Sequence, residues 1–115
     1  MTTKTILLIF GLLIISTVIS GCGQTINYDN FAKCLTEAGA VMYGTEWCSH
    51  CKSQKKAFGD SFQYIDHIDC NLEEDKCDEA GIEGYPTWSI DGNNYPGEQT
   101  MEQLAFLSGC ELPLK

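Results

Sequence analysis

The sequence predicts an α/β domain in which a single mixed β-sheet is flanked by helices. Short apolar runs of strand length alternate with helix-like segments, in the order α-β-α-β-α-β-β-α. Strands joined through a crossover helix pair in parallel, whereas the Asp91-Gly92 dipeptide signals a tight hairpin and therefore an antiparallel pair. The length of 115 residues leaves room for one small domain of this kind.

The first 21 residues are predicted to be a signal peptide that lies outside this domain. Lys4 gives a short positive start, and residues 5–20 form an apolar stretch shorter than the roughly 20 residues of a transmembrane span. The stretch ends in Ile19-Ser20-Gly21-Cys22, and an aliphatic residue and two small residues before a cysteine are typical of a lipobox. We therefore expect Cys22 to carry lipid; an ordinary signal peptide or an uncleaved anchor is the alternative.

The cysteine count favours an exported protein. Seven cysteines are an odd number, but with Cys22 as the lipid carrier six remain, and six can form three pairs. This many cysteines in a small domain suit an oxidising compartment. We expect residues 22–28 to be a lipidated linker and residues 29–115 to form the domain, anchored at the outer face of the cytoplasmic membrane or in the periplasm.

The charge balance argues against a nucleic-acid partner. The chain has 16 acidic residues and seven basic ones, all of them lysines, for a formal net charge of −9. Proteins that bind phosphate backbones need basic surfaces, usually with arginine. No nucleic acid is therefore expected among the partners.

Four helices are predicted, and a glycine follows each of them as a stop signal. They are expected at residues 31–38, 48–58, 72–80 and 101–108. Asp29 or Asn30 would cap the first helix, and Thr100-Met101-Glu102-Gln103 is a capping box at the start of the last one.

Four strands are predicted between these helices. They are expected at residues 40–44, 62–70, 84–90 and near 94–95. The first is a short apolar run, typical of a buried central strand. His67 in the second strand is expected to be a surface residue.

A redox motif follows the first strand, in the segment Thr45-Glu46-Trp47-Cys48-Ser49-His50-Cys51. Cys48 and Cys51 are spaced i, i+3 on the first turn of a predicted helix, so their sulfur atoms can meet on one face. The helix N-terminus favours a thiolate on the first cysteine, which makes it a nucleophile. The alternative is half of a zinc site, for which Cys70 and Cys77 are the available second pair.

A metal-binding function of another kind would use Cys48, Cys51 and His50, since thiolates and imidazole suit copper(I) or zinc. The redox interpretation needs no metal and no other cofactor, because a disulfide itself carries two electrons. We favour the redox interpretation and keep a metallochaperone lipoprotein as the alternative.

The order of elements, together with Trp47-Cys48-x-x-Cys51 after the first strand and Tyr85-Pro86-Thr87 at the third, resembles the thioredoxin superfamily. The resemblance covers about residues 28–112. Met42 to Cys51 and Gly84-Tyr85-Pro86-Thr87-Trp88 look most like the thioredoxin-like domain that follows vitamin K epoxide reductase homologues in bacteria. It implies a thioredoxin-like fold and electron exchange between exported cysteine-containing proteins and a quinone-linked membrane partner.

The resemblance also implies roles for single residues. Cys48 would be the attacking thiol, Cys51 the resolving thiol and Pro86 a cis-proline that faces them. The backbone at Tyr85, Pro86 and Thr87 would receive a substrate strand. The residues around the two cysteines, Trp47, Ser49 and His50, would tune their reactivity.

Two residues depart from the patterns of this superfamily. Met42 takes the place of the buried acid that many thioredoxins carry six residues before the first cysteine. His50 matches the histidine of DsbA-type oxidants, where it stabilises the reduced form, but Ser49 replaces the proline of that motif. We therefore expect an oxidant of exported proteins, with a thiol-disulfide reductase as the alternative.

In the fold that the resemblance implies, Cys70 ends a strand at the active-site end and Cys77 lies on the helix that returns from it. Cys34 and Cys110 would lie together at the opposite end. Structural disulfides Cys70–Cys77 and Cys34–Cys110 are therefore expected.

Overall fold

The computed structural model describes residues 25–114. The predicted signal peptide, the lipobox and Cys22 lie outside the described residues. The four helices are α1 (Asp29–Glu37), α2 (Ser49–Phe58), α3 (Glu74–Glu79) and α4 (Met101–Ser108). The four strands are β1 (Val41–Gly44), β2 (Asp66–Asp69), β3 (Thr87–Ile90) and β4 (Asn93–Pro96). None of the helices in this part of the chain is long and apolar enough to span a membrane.

The strands form one mixed sheet in the order β2-β1-β3-β4. β1 pairs in parallel with β2 and antiparallel with β3, so that Met42 lies between His67 and Trp88. The predicted α/β class and the thioredoxin-like fold are confirmed, and β1 is the interior strand that its apolar sequence predicted. The turn at Asp91 and Gly92 has positive φ at both residues, as a tight hairpin requires.

The predicted stop signals lie where the helices end. Gly39, Gly59, Gly81 and Gly109 all have positive φ and follow the four helices. The capping box at α4 is present, with the Thr100 hydroxyl accepting from the Gln103 N–H at 3.1 Å. The prediction for the start of α1 was wrong. The helix begins at Asp29, and Asn27 rather than Asp29 or Asn30 accepts a hydrogen bond there, from the Asp29 N–H.

The second strand is shorter than predicted. Residues Gly59–Tyr64 form a 3-10 helix, and only Asp66–Asp69 extend as a strand. Phe62 packs edge-on against Phe58 of α2, with ring centroids 6.1 Å apart. This aromatic contact holds the segment Gly59–Tyr64 close to the end of α2. The segment therefore does not pair as the strand that the sequence predicted.

The hydrophobic core lies around β1 and β3. Its largest fully buried side chains include Trp88, Leu35, Met42, Ile90 and Leu104. Phe31 stacks on Phe58 at 6.3 Å, which joins α1 to α2. The helix that carries the redox motif is therefore anchored at its far end by aromatic packing.

Two disulfides join the pairs expected from the sequence, Cys34 with Cys110 and Cys70 with Cys77. The first connects α1 to the segment after α4 and closes a loop with a sequence separation of 76. On a chain-entropy model it contributes about 4 kcal/mol, and the seven-residue separation of the second contributes about 2 kcal/mol. Cys48 and Cys51 are both free thiols.

Candidate active site

The two cysteines of the redox motif lie at the N-terminus of α2. Cys48 is the N-cap residue with extended backbone, and its Sγ accepts a hydrogen bond from the Cys51 N–H at 3.2 Å. The Cys48 thiol donates to the carbonyl oxygen of Tyr85 at 3.5 Å. Cys48 keeps 8% of its surface exposed, whereas Cys51 has none. Cys48 is therefore the thiol that a protein substrate can reach.

The loop before β3 faces Cys48 from the other side. The Tyr85–Pro86 peptide bond is cis, and the Tyr85 carbonyl lies next to the sulfur. The rings of Trp47 and Tyr85 meet edge to face at 6.1 Å, and 68% of Trp47 is exposed. Thr87 is buried, and its hydroxyl donates to the Gly84 carbonyl at 2.8 Å. Its side chain closes the turn and is not offered to a substrate.

The buried cysteine is held as a neutral thiol. Burial raises the pKa of Cys51 to about 11, and the hydrogen bond with the Cys48 side chain acts in the same direction. A hydrogen bond from the Thr45 backbone and the charge of Lys55 oppose this rise. Met42, where many thioredoxins carry an acid, is fully buried and has no group that takes up a proton.

Gly44 is a site residue that the sequence did not reveal. A Cβ atom added to it would lie 2.8 Å from the Cys51 Sγ, well inside van der Waals contact. The last residue of β1 must therefore be glycine for Cys51 to occupy this place.

His50 has a carboxylate partner far away in the sequence. Its Nδ1 lies 2.8 Å from Oε2 of Glu98, which precedes α4. A hydrogen bond from Ser53 lowers the pKa of Glu98, and the contact with His50 lowers it further. Ser49, the remaining predicted tuning residue, is exposed.

Gln54 is a second residue that the sequence analysis missed. It is 1% exposed, and its Oε1 accepts from the Trp88 indole N–H at 3.0 Å and from the Gln99 backbone N–H at 2.8 Å. Its Nε2 donates to the Gln99 carbonyl at 3.1 Å. Gln54 thus ties α2 to β3 and to the segment that carries Glu98. The sequence carries no local signal for it, because its partners lie 34 and 45 positions away.

Groups of three or more histidine, cysteine, aspartate or glutamate side chains that could hold a metal ion are absent from residues 25–114. Cys70 and Cys77, the second cysteine pair of the zinc alternative, are joined in a disulfide. Cys48 and Cys51, by contrast, have the arrangement that thiol-disulfide exchange needs: one reachable sulfur at a helix N-terminus and a second one behind it.

Comparisons with known proteins agree with this chemistry. The chain is 38% identical over 90 residues to thiol-disulfide oxidoreductase LTO1 of Arabidopsis thaliana, covering 70% of this chain and 24% of that protein. It is 31% identical over 75 residues to a protein disulfide-isomerase of Aspergillus niger, covering 57% of this chain and 15% of that protein. The chain thus spans a quarter or less of the length of these relatives.

No protein-family model matches the chain. Among solved structures, a thioredoxin of Fasciola hepatica is similar, with a TM-score of 0.46, 15% identity, and coverage of 70% of this chain and 91% of that one. The assignment of the fold rests on three features of the structure: the strand order, the two cysteines at the start of α2 and the cis-proline before β3. Residues 25–114 form a thioredoxin-like domain.

Proposed function

We propose that this protein is a thiol-disulfide oxidoreductase of the thioredoxin type that acts on cysteine-containing proteins. One observation carries the proposal. The Cys48 sulfur lies at the N-cap of α2, 3.5 Å from the Tyr85 carbonyl oxygen. A substrate segment bonded to Cys48 would lie along this backbone, with Cys51 directly behind the sulfur.

The reaction is a pair of thiol-disulfide exchanges. In the oxidising direction a substrate thiolate attacks the Cys48 sulfur of a Cys48–Cys51 disulfide, and Cys51 leaves with the electron pair. A second substrate thiolate then attacks the substrate sulfur of the mixed disulfide, and Cys48 leaves. The substrate loses two electrons and two protons, which the cysteine pair takes up as two thiols; reduction of a substrate is the reverse.

Variants of the two cysteines test the mechanism. Cys48→Ser should abolish exchange with a reduced, unfolded protein, because no other described thiol is free except the buried Cys51. Cys51→Ser should instead accumulate a mixed disulfide with a disulfide-bonded protein, because Cys48 attacks the substrate disulfide, one substrate thiolate leaves and the resolving thiol is missing. Full exchange activity in the Cys48→Ser variant would contradict the proposal.

We further propose that the protein works as an oxidant. The support is His50 in the active-site motif, by analogy with DsbA-type oxidants, together with the missing acid at Met42. The reduction potential, measured in glutathione buffers, decides the direction. A value of about −120 to −180 mV identifies a disulfide donor, whereas a value of about −270 mV identifies a reductase.

We also propose that the protein is lipid-anchored through Cys22 at the outer face of the cytoplasmic membrane or in the periplasm. A vitamin K epoxide reductase-like, quinone-linked membrane protein would reoxidise it there. The support is the lipobox ending in Cys22 and the resemblance of the motif segments. Cys22→Ala should release the protein from the membrane fraction, and the Cys51→Ser variant should trap the partner in a mixed disulfide. A Cys22→Ala protein that stays with the membrane would contradict the lipid anchor, and a Cys51→Ser protein that traps no membrane protein would contradict the partner.

A further inference from the structure

A small cleft opens beside the loop that faces Cys48, with Tyr85 in its lining. It has a volume of about 230 Å³ and lies between the Trp47–Tyr85 pair and helix α3. Ile82 and the Cys70–Cys77 disulfide line it as well. Because the Tyr85 carbonyl is 3.5 Å from the Cys48 sulfur, a peptide whose cysteine reaches Cys48 passes along the mouth of this cleft.

Two carboxylates face the cleft. Glu74 and Asp78 both line it, and their i, i+4 spacing puts them on one side of α3. Neither of them takes part in any of the ion pairs found among residues 25–114. No lysine is among the described residues that line the cleft, so none of them neutralises its negative charge.

A buried hydroxyl lines the same cleft. Thr45 is 2% exposed, and its Oγ1 has no hydrogen-bond partner in the described part of the chain. Buried polar atoms are nearly always hydrogen-bonded, so an unpartnered one at a cleft marks a place where a ligand group can bind. A hydroxyl oxygen accepts hydrogen bonds, as do the two carboxylates, and all three groups therefore suit a donor.

The remaining walls are apolar. Trp47 and Tyr85 contribute exposed rings, and Ile82 contributes an aliphatic surface. A lysine or arginine side chain has an apolar stem and a cationic head, and it combines aromatic contact with ion pairing. An acidic side chain would be repelled by Glu74 and Asp78, and an aliphatic one would leave the Thr45 hydroxyl unpartnered.

We infer that this cleft is a specificity site that receives a lysine or arginine side chain adjacent to the reactive cysteine of a substrate protein. The inference rests on the proposed function and names its substrate class. In the oxidising direction, a substrate cysteine with basic neighbours should attack Cys48 faster than one with neutral or acidic neighbours. In the reducing direction, Cys48 should attack the disulfide of such a cysteine faster.

The test uses the full chain in detergent, oxidised at Cys48–Cys51, and dithiol peptides with lysine, glutamine or glutamate on both sides of the first cysteine. Each rate of disulfide transfer is divided by the rate of the same peptide with hydroxyethyl disulfide, a neutral disulfide, because a basic neighbour also raises the reactivity of the peptide thiol. The lysine peptide should exceed the glutamine peptide by about fivefold at low salt, and the glutamate peptide should be slower than both.

Three variants separate the cleft from general surface charge. Glu74→Gln with Asp78→Asn should reduce the lysine preference to within about twofold. Asp75→Asn, on the same helix but outside the cleft, should keep it. Thr45→Val should lower the rate of the lysine peptide and spare the glutamine peptide, without loss of thermal stability, because the hydroxyl it removes has no partner.

The outcomes distinguish the two proposals. Equal normalised rates for all three peptides would overturn the specificity site and leave the oxidoreductase function standing. An equal loss of preference in Asp75→Asn would also overturn it, since the effect would then be one of net charge. Absence of transfer to every peptide would overturn the proposed function and the specificity site with it.

Discussion

Gln54→Leu tests the buried network that joins the active-site helix to the sheet. Leucine fills a similar volume but leaves the Trp88 indole N–H and the Gln99 backbone groups without their partner. Trp88 has no exposed surface, so its N–H cannot turn to water, and an unsatisfied buried donor costs about 1–3 kcal/mol. Gln99 is half-buried, so water can replace part of its lost hydrogen bonding, and the remaining cost in the free energy of unfolding is about 1 kcal/mol.

The sum is a loss of about 2–4 kcal/mol in the free energy of unfolding, a large part of the 5–15 kcal/mol that is typical of a domain. For a domain of this size it lowers the melting temperature by about 10–20 °C. Thermal and urea unfolding followed by circular dichroism, with the disulfides intact, measures both quantities. Gln63→Leu is the matched control, because Gln63 is exposed and makes one hydrogen bond, to the Asp60 carbonyl. It should change stability by less than about 0.5 kcal/mol.

A double-mutant cycle identifies the cause of the loss. Trp88→Phe removes the donor that Gln54→Leu leaves unpaired, so the double variant should be more stable than the sum of the two single losses predicts. Additive losses, or a Gln54→Leu protein as stable as the Gln63→Leu control, would refute the reasoning that the network stabilises this part of the fold.

Three further predictions follow from single contacts. Gly44→Ala should lower the free energy of unfolding by about 1–3 kcal/mol and slow the attack of Cys51 on a mixed disulfide. Gly84→Ala is the control: its added Cβ meets no atom within 4 Å, so unfolding and single-turnover exchange should not change. Iodoacetamide at about pH 8 should alkylate Cys48 and spare Cys51, whose pKa is about 11; equal labelling by mass spectrometry would contradict this. Burial lowers the pKa of His67 below 6.5, so the unfolded state binds more protons as the pH falls through that value. Wild-type stability should therefore decrease relative to His67→Gln between about pH 7 and pH 5 in urea titrations, and parallel curves would contradict it.

The fold was predictable where its signals are local. Glycine stops, the Thr100–Gln103 capping box and the Asp91-Gly92 turn each act within a few residues, and all of them lie where the sequence placed them. The error at Gly59–Tyr64 has a tertiary cause. The aromatic residues there have strand propensity, but the contact of Phe62 with Phe58 keeps them in a 3-10 helix.

In the candidate site, too, local features could be predicted from the sequence and long-range contacts could not. The spacing of Cys48 and Cys51 is readable from the sequence because one helical turn brings them together. The pairing of His50 with Glu98 and of Gln54 with Gln99 joins residues separated by 48 and 45 positions. Only the tertiary position of residues 98–99 beside α2 creates these contacts, so no local pattern could predict them.

The raised pKa of Cys51 bears on the step in which Cys51 attacks a mixed disulfide, as it would when the pair reduces a substrate disulfide or is itself reoxidised by a partner. Cys51 must lose its proton before it attacks a mixed disulfide, and Met42 supplies no base beside it. Two of the influences that raise its pKa, the hydrogen bond and the charge interaction, come from the Cys48 side chain. Both disappear once the Cys48 sulfur is bonded to a substrate, whereas the hydrogen bond from the Thr45 backbone and the charge of Lys55 remain. Burial, the largest cause of the raised pKa, also remains, so the mixed disulfide removes the share of the rise that Cys48 contributes and leaves the rest.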